Sequence, residues 1–297
     1  MWRYELKKFR RKLELKHNTF FVKKLKERSL IFTSTAIALV LSACGRETRS
    51  TTEVPLADET TNVPTEFDDK LIGNDDIDTW TGLGGNDEIY GFGGNDTINA
   101  GSGNDTVFGG DGNDTILPGP GDDKVYGEGG NDTIYLSGGD DLENGGDGID
   151  TIIFSPDQTS RPMTFNLDTG KYYVSTALTS ISQNLVSIEN FTGEGGTDLT
   201  IYDTDGINVI TTANGNDTIH SKGGNDTITT GSGNDTVYLG DGVYTVDLGA
   251  GDDTIYLNTN ISVINGNSGT DEAIVRAFDG FVDVLVDLQF GTYSVPS

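Results

Sequence analysis

Residues 82–135 read GLGGNDEIY GFGGNDTIN AGSGNDTVF GGDGNDTIL PGPGDDKVY GEGGNDTIY, six nine-residue units in unbroken register. The aspartate of each unit belongs to a longer series, Asp78, Asp87, Asp96, Asp105, Asp114, Asp123, Asp132, Asp141 and Asp150, spaced by nine throughout. A fixed short period of this kind is the signature of a solenoid. Glycine stands two places before the aspartate at Gly85, Gly94, Gly103, Gly112, Gly121 and Gly130, where a sharp turn needs a residue that accepts positive φ. An aliphatic residue stands two places after it, at Ile89, Ile98, Val107, Ile116, Val125, Ile134 and Ile152. The last three residues of a unit thus form a short strand with one inward side chain.

One buried aliphatic residue is worth about 1.5–3 kcal/mol, whereas fixing nine backbones costs roughly 1–2 kcal/mol each. So thin a core needs another source of stability. Stacked turns also bring like-charged aspartates together, and a bound cation reverses that repulsion. Carboxylates and turn carbonyls are hard oxygen donors, suited to calcium and less well to magnesium.

The units resemble the glycine-rich nonapeptide of the RTX, or hemolysin-type, calcium-binding repeats. The resemblance implies an all-β parallel β-roll in which each unit makes half a turn and several calcium ions lie between turns stacked on the same side. Alternate aspartates then pair, Asp78, Asp96, Asp114, Asp132 and Asp150 on one side and Asp87, Asp105, Asp123 and Asp141 on the other.

The pattern returns in a second block at Asp217, Asp226, Asp235, Asp253 and Asp271, with turn glycines Gly215, Gly224, Gly233 and Gly251. There the frame holds Asn208, Tyr244 and Ser262 on the side of Asp226, so calcium is expected on the opposite side only. Gaps between paired aspartates give an expectation of about ten ions at the weak, extracellular end of calcium affinity. Glu143 takes an inward aliphatic position and is expected to distort its turn. Pro118 and Pro120 are tolerable within a turn.

The expected organisation is a signal peptide over 1–43, a lipidated cysteine and disordered tether over 44–66, a first roll block over 67–153, a β spacer over 154–197, a second block over 198–275 and terminal strands over 276–297. The spacer breaks the nine-residue frame. Gly148, Asp150, Leu167, Gly170 and Tyr172 recur 121 residues later as Gly269, Asp271, Leu288, Gly291 and Tyr293, which reads as an internal duplication whose second copy is either truncated or used as a cap.

Residues 1–29 hold eleven Lys/Arg, 30–41 are apolar or small, and Leu41-Ser42-Ala43-Cys44 follows. The apolar run is too short to span a bilayer and reads as a secretory leader. Its end resembles a bacterial lipobox, which implies lipidation of Cys44, the only cysteine. Gly45 after it implies the outer membrane. Disulfides are excluded. Removing 1–43 lowers Lys+Arg from 19 to 8 and Asp+Glu from 47 to 44, a net charge near −36. Such a polyanion has no face for nucleic acid, and without metal it is expected to be disordered.

No enzyme is expected. HExxH and GxSxG are absent, and the adjacent carboxylates Asp122–Asp123, Asp140–Asp141 and Asp252–Asp253 belong to the repeat. His220 reads as a surface residue, and DTDG at 203–206 fails as an EF-hand because Asn214 stands where the glutamate is needed. Tyr90, Tyr126, Tyr135, Tyr238 and Tyr256 face outward, covering the sheet or offering a face to a carbohydrate or protein partner. The leading reading is a lipid-anchored, calcium-folded envelope protein with a structural or adhesive role. The alternative is a non-catalytic portion of a secreted RTX toxin or enzyme.

Overall fold

The computed structural model describes residues 63–155, 162–174, 183–257 and 263–275, together with the strands Leu285–Asp287 and Thr292–Ser294. All regular elements among the described residues are β-strands. The leader, Cys44, most of the tether and Ser262 lie outside them.

Two sheets face each other, a long one of fourteen strands and a short one of eleven. Successive units alternate between them, so strands of one sheet pair in parallel at a register of eighteen residues, as in Ile89↔Val107↔Val125 and Ile98↔Ile116↔Ile134. In the first block the short-sheet strands Thr97–Asn99, Thr115–Leu117 and Thr133–Tyr135 have the expected three residues, whereas the long-sheet strands Glu88–Gly93, Thr106–Asp111, Lys124–Gly129 and Leu142–Asp147 run on through the following glycines to six before the next turn ends them. In most strands of the repeats the inward residue is sealed off completely. Ile89, Ile98, Val107, Ile116, Val125, Ile134 and Ile152 are all at 0 % exposure, as are Ile201, Ile210, Ile219, Ile228, Val237 and Ile255 further along.

The spacer that divides the repeats in sequence joins them in space. In the short sheet Thr151 pairs with Asn190 and Phe191 with Ile210, so a single spacer strand carries the sheet across. In the long sheet Leu142–Asp147 pairs with Gln183–Val186 in parallel, the hairpin partners Lys171–Val174 and Met163–Asn166 follow antiparallel, and Met163 pairs with Leu199 to resume parallel pairing. Three strands inserted on one side against one on the other account for the lost nine-residue frame. The larger wrap is filled by aromatic residues: Phe165 packs against Phe154, Tyr172 and Phe191 at ring-centroid distances of 5.1, 5.0 and 4.7 Å.

Glu143 corrects one expectation, because its turn is regular. It lies in register between Val125 and Leu185 at 0 % exposure, inside an unbroken strand. Burial pushes its carboxyl up to about 8, with the neighbouring Asp141 charge adding to the effect, so at neutral pH it enters the core as an uncharged acid. The proline-bearing unit also keeps its turn: the Pro120 carbonyl accepts the Gly103 amide at 3.0 Å.

On the outer face of the long sheet, side chains of successive turns stack ring on ring. Tyr90, Phe108 and Tyr126 lie 4.9 and 5.1 Å apart, and Tyr202, His220, Tyr238 and Tyr256 form a second stack at 4.5–4.6 Å with planes within 8°. His220 is thus half-buried between two phenols, and burial lowers its pKa. Tyr135 lies on the short sheet instead.

Candidate metal centre

Each ladder aspartate ends a turn with its backbone amide directed at the next turn on its own side. The Asp69, Asp87, Asp105 and Asp123 amides donate to Oδ1 of Asp87, Asp105, Asp123 and Asp141, and the Asp78, Asp96, Asp114 and Asp132 amides to Oδ1 of Asp96, Asp114, Asp132 and Asp150, all at 2.7–2.8 Å. In the second block the amides of Leu199, Asp217, Asp235 and Asp253 donate in the same way to Asp217, Asp235, Asp253 and Asp271, at 2.8–3.2 Å. The first block thus has one aspartate stack on each side, and the second block has the stack Asp217, Asp235, Asp253 and Asp271 on one side.

Oδ1 is satisfied by these bonds, and Oδ2 is not. In Asp87, Asp96, Asp105, Asp114, Asp123, Asp132, Asp150, Asp217, Asp235 and Asp253 that oxygen is buried with no hydrogen-bond partner in the protein. A buried carboxylate oxygen without a donor is costly. Desolvation raises the pKa of these groups, to about 7 in Asp123, Asp132 and Asp253 and to about 6 in Asp87, Asp114, Asp150 and Asp217; backbone donation offsets this and facing carboxylates reinforce it. A row of hard, anionic oxygens aimed into the gap between turns fits a divalent cation. Among the described residues no three acidic or histidine side chains converge on one point, so turn carbonyls would complete each coordination shell.

The expected turn glycines, Gly85, Gly94, Gly103, Gly112, Gly121, Gly130, Gly215, Gly224, Gly233 and Gly251, all have φ between 115 and 153°. At Gly103 a Cβ would stand 1.7 Å from the Gly85 carbonyl oxygen, so turn stacking as well as φ demands glycine. A second glycine, five places before the aspartate, is missed by the sequence reading. At Gly91 a Cβ would meet Asp96 Oδ2 at 2.4 Å, and Gly73, Gly109, Gly127 and Gly145 stand in the same relation to Asp78, Asp114, Asp132 and Asp150. These glycines keep room both for the carbonyl of the neighbouring turn and for Oδ2, which is unpaired in all of these aspartates but Asp78.

Three further features extend the ladder beyond the sequence reading, two of them with a signal in the nine-residue frame. Asp69 continues the ladder one unit earlier, in the same nine-residue frame. At the spacer Glu189 Oε2 takes the aspartate role, accepting the Asp150 amide at 2.8 Å, but the broken frame hides it. The residue before each aspartate builds a second ladder of opposite direction: Asn104, Asp122 and Asp140 amides donate to Oδ1 of Asn86, Asn104 and Asp122 at 2.8–3.1 Å. The adjacent carboxylates Asp122 and Asp123 therefore belong to different ladders.

Four aspartates differ. Asp78 Oδ2 accepts the Asn74 amide at 2.9 Å, Asp226 Oδ2 accepts the Ser221 hydroxyl at 2.7 Å, Asp141 has a further partner for its carboxylate, and Asp271 closes the described ladder. On the Asp226 side, Tyr244 is 1 % exposed where an aspartate would stand.

The family model described as the RTX calcium-binding nonapeptide repeat matches residues 72–107, 90–125, 108–143, 118–152, 192–228 and 211–246. The chain carries RTX calcium-binding repeats. Its matched segments cover most of the first block and the second block as far as residue 246, and they begin again inside Asn190–Gly193, the strand by which the structure joins the blocks. RTX nonapeptide repeats bind calcium at multiple sites. No curated protein matches the chain.

Proposed function

We propose that this chain is a non-catalytic RTX roll that folds on calcium after export and stands on the bacterial envelope, held by lipid at Cys44, with a structural or adhesive role. The observation that carries the reading is the row of buried, unpartnered Oδ2 atoms, which makes the folded state depend on a cation that is scarce inside cells and plentiful outside. The basic leader, the apolar 30–41 segment and Leu41-Ser42-Ala43-Cys44 support the anchor. The stacked tyrosines support a covering role, since their ring faces lie against one another and only ring edges are left for a sugar.

The test is circular dichroism of residues 45–297 during a calcium titration, with magnesium as control. A cooperative gain of β signal near millimolar calcium, absent with magnesium, is expected. A chain already folded in chelator would overturn calcium-dependent folding. Palmitate labelling that survives Cys44→Ser would overturn the anchor.

A further inference from the structure

The second block has lost a ladder aspartate at Asn208, yet the same turn contains a buried carboxylate five places earlier. On the same side of the first block that place is glycine, and at Gly91, Gly109, Gly127 and Gly145 a Cβ would stand 2.2–2.4 Å from the unpaired Oδ2 of the aspartate in its own turn. A side chain at this place therefore enters the space that Oδ2 occupies. Ser221 shows the geometry one turn further on, with its hydroxyl 2.7 Å from Asp226 Oδ2. In the 203–208 turn the residue there is Asp203.

Asn208 has turned its own side chain away. Its Nδ2 donates to the Glu189 carbonyl and its Oδ1 lies 3.0 Å from the Thr204 hydroxyl. Asp203 is 1 % exposed, its Oδ1 accepts the Lys222 amide at 2.6 Å, and its Oδ2 is buried without a hydrogen-bond partner, as in the ladder aspartates. The nearby ammonium does not neutralise it: Lys222 Nζ is exposed and pairs with Asp168 at 3.0 Å and Asp205 at 2.9 Å.

We propose that Asp203 rebuilds a cation site on the side of the roll where Asn208 has replaced aspartate, with Asp226 and Ser221 of the next turn as co-ligands. Two carboxylates and a hydroxyl form an all-oxygen donor set for a hard divalent cation, and calcium is the ion the rest of the roll takes. Tyr244 fills the aspartate position of the following turn, so the site is bounded on that side. The carboxylate has moved within its turn, and the calcium row is one site longer than the nonapeptide pattern indicates.

The proposal rests on the reading of the roll as calcium-binding. Calcium bound per chain at saturation is counted by equilibrium dialysis of the full chain with calcium-45, beside far-UV circular dichroism. Asp203→Asn is expected to bind one ion fewer than the parent with the same β signal, and adding Asp226→Asn is expected to remove no further ion. Asp203→Gly restores the ordinary residue of the repeat, so it decides the matter if Asp203→Asn fails to fold. Parental stoichiometry in the folded variant would overturn the site while leaving the roll intact. A parent chain that binds no calcium would overturn both.

Discussion

The amide of Asp105 donates to Asp123 Oδ1 at 2.8 Å, while Oδ2 of the same carboxylate is buried with no protein donor. One side chain thus ties down the turn before its own and keeps a second carboxylate oxygen without a protein donor. The two roles are separable by substitution, because asparagine keeps an Oδ1 acceptor but removes the charge.

Asp105→Ala with Asp123→Ala leaves the buried Asp87 and Asp105 amides unpaired. Each such donor costs about 1–3 kcal/mol, so the calcium midpoint of folding should rise by about tenfold or more. Asp123→Asn should raise it less. Circular dichroism titrations compare the variants, and an unchanged midpoint in the double alanine variant would contradict the ladder.

Two glycines separate turn geometry from mere composition. Gly103→Ala forces a φ of 132° on a side chain whose Cβ would meet the Gly85 oxygen at 1.7 Å, whereas at Gly138 no atom lies within 4 Å of the added carbon. Backbone strain alone costs about 1–3 kcal/mol. Thermal melts in saturating calcium should show a clear loss for Gly103→Ala and little change for Gly138→Ala.

Acid should act oppositely on the two states of the roll. With Asp123, Asp132 and Asp253 near 7 and Asp87, Asp114, Asp150 and Asp217 near 6, the metal-free fold binds more protons than the unfolded chain, whose aspartates titrate near 3.9. That contribution is complete below about pH 4 and is lost as pH rises through 6 and 7. In chelator, β signal should therefore grow on acidification, while the calcium midpoint should be higher at pH 6 than at pH 7.5. Equal midpoints at the two pH values would mean that calcium displaces no protons from the row.

Glu143 has both carboxyl oxygens buried and unpartnered in an otherwise aliphatic row. Glu143→Ile removes that penalty and should stabilise the calcium-loaded roll by about 1–3 kcal/mol. Glu143→Gln, which keeps buried polar atoms, should give no such gain. Urea unfolding in saturating calcium measures both.

The roll was legible because its instruction is local and repeated: Gly103, Asp105 and Val107 state a turn, a ligand and a core residue within five positions. The side-by-side pairing of alternate aspartates came from the resemblance to RTX repeats, which makes each unit half a turn. What escaped depended on contacts between turns. The Gly91 requirement comes from the Gly109 carbonyl of the neighbouring turn together with Asp96 Oδ2, the Asn86–Asn104 ladder from two turns meeting, and the Glu189 role from a strand pairing across 39 residues. Glu143 was misjudged because its charge was read at its ordinary pKa, whereas the site that buries it also neutralises it. Asp203 was weighed only against an EF-hand, a frame in which its burial has no meaning.

The aromatic stacks give the molecule its own optical gauge. Tyr202, His220, Tyr238 and Tyr256 come from four different turns and lie in parallel planes only when those turns are in register. Their transitions then couple through space, as do those of Tyr90, Phe108 and Tyr126 in the first block. Near-ultraviolet dichroism thereby reports alignment between turns, separately from the amide bands that report strands. Replacing Tyr238 by leucine should silence the second stack alone, so that the ordering of the two halves can be followed apart without any attached dye.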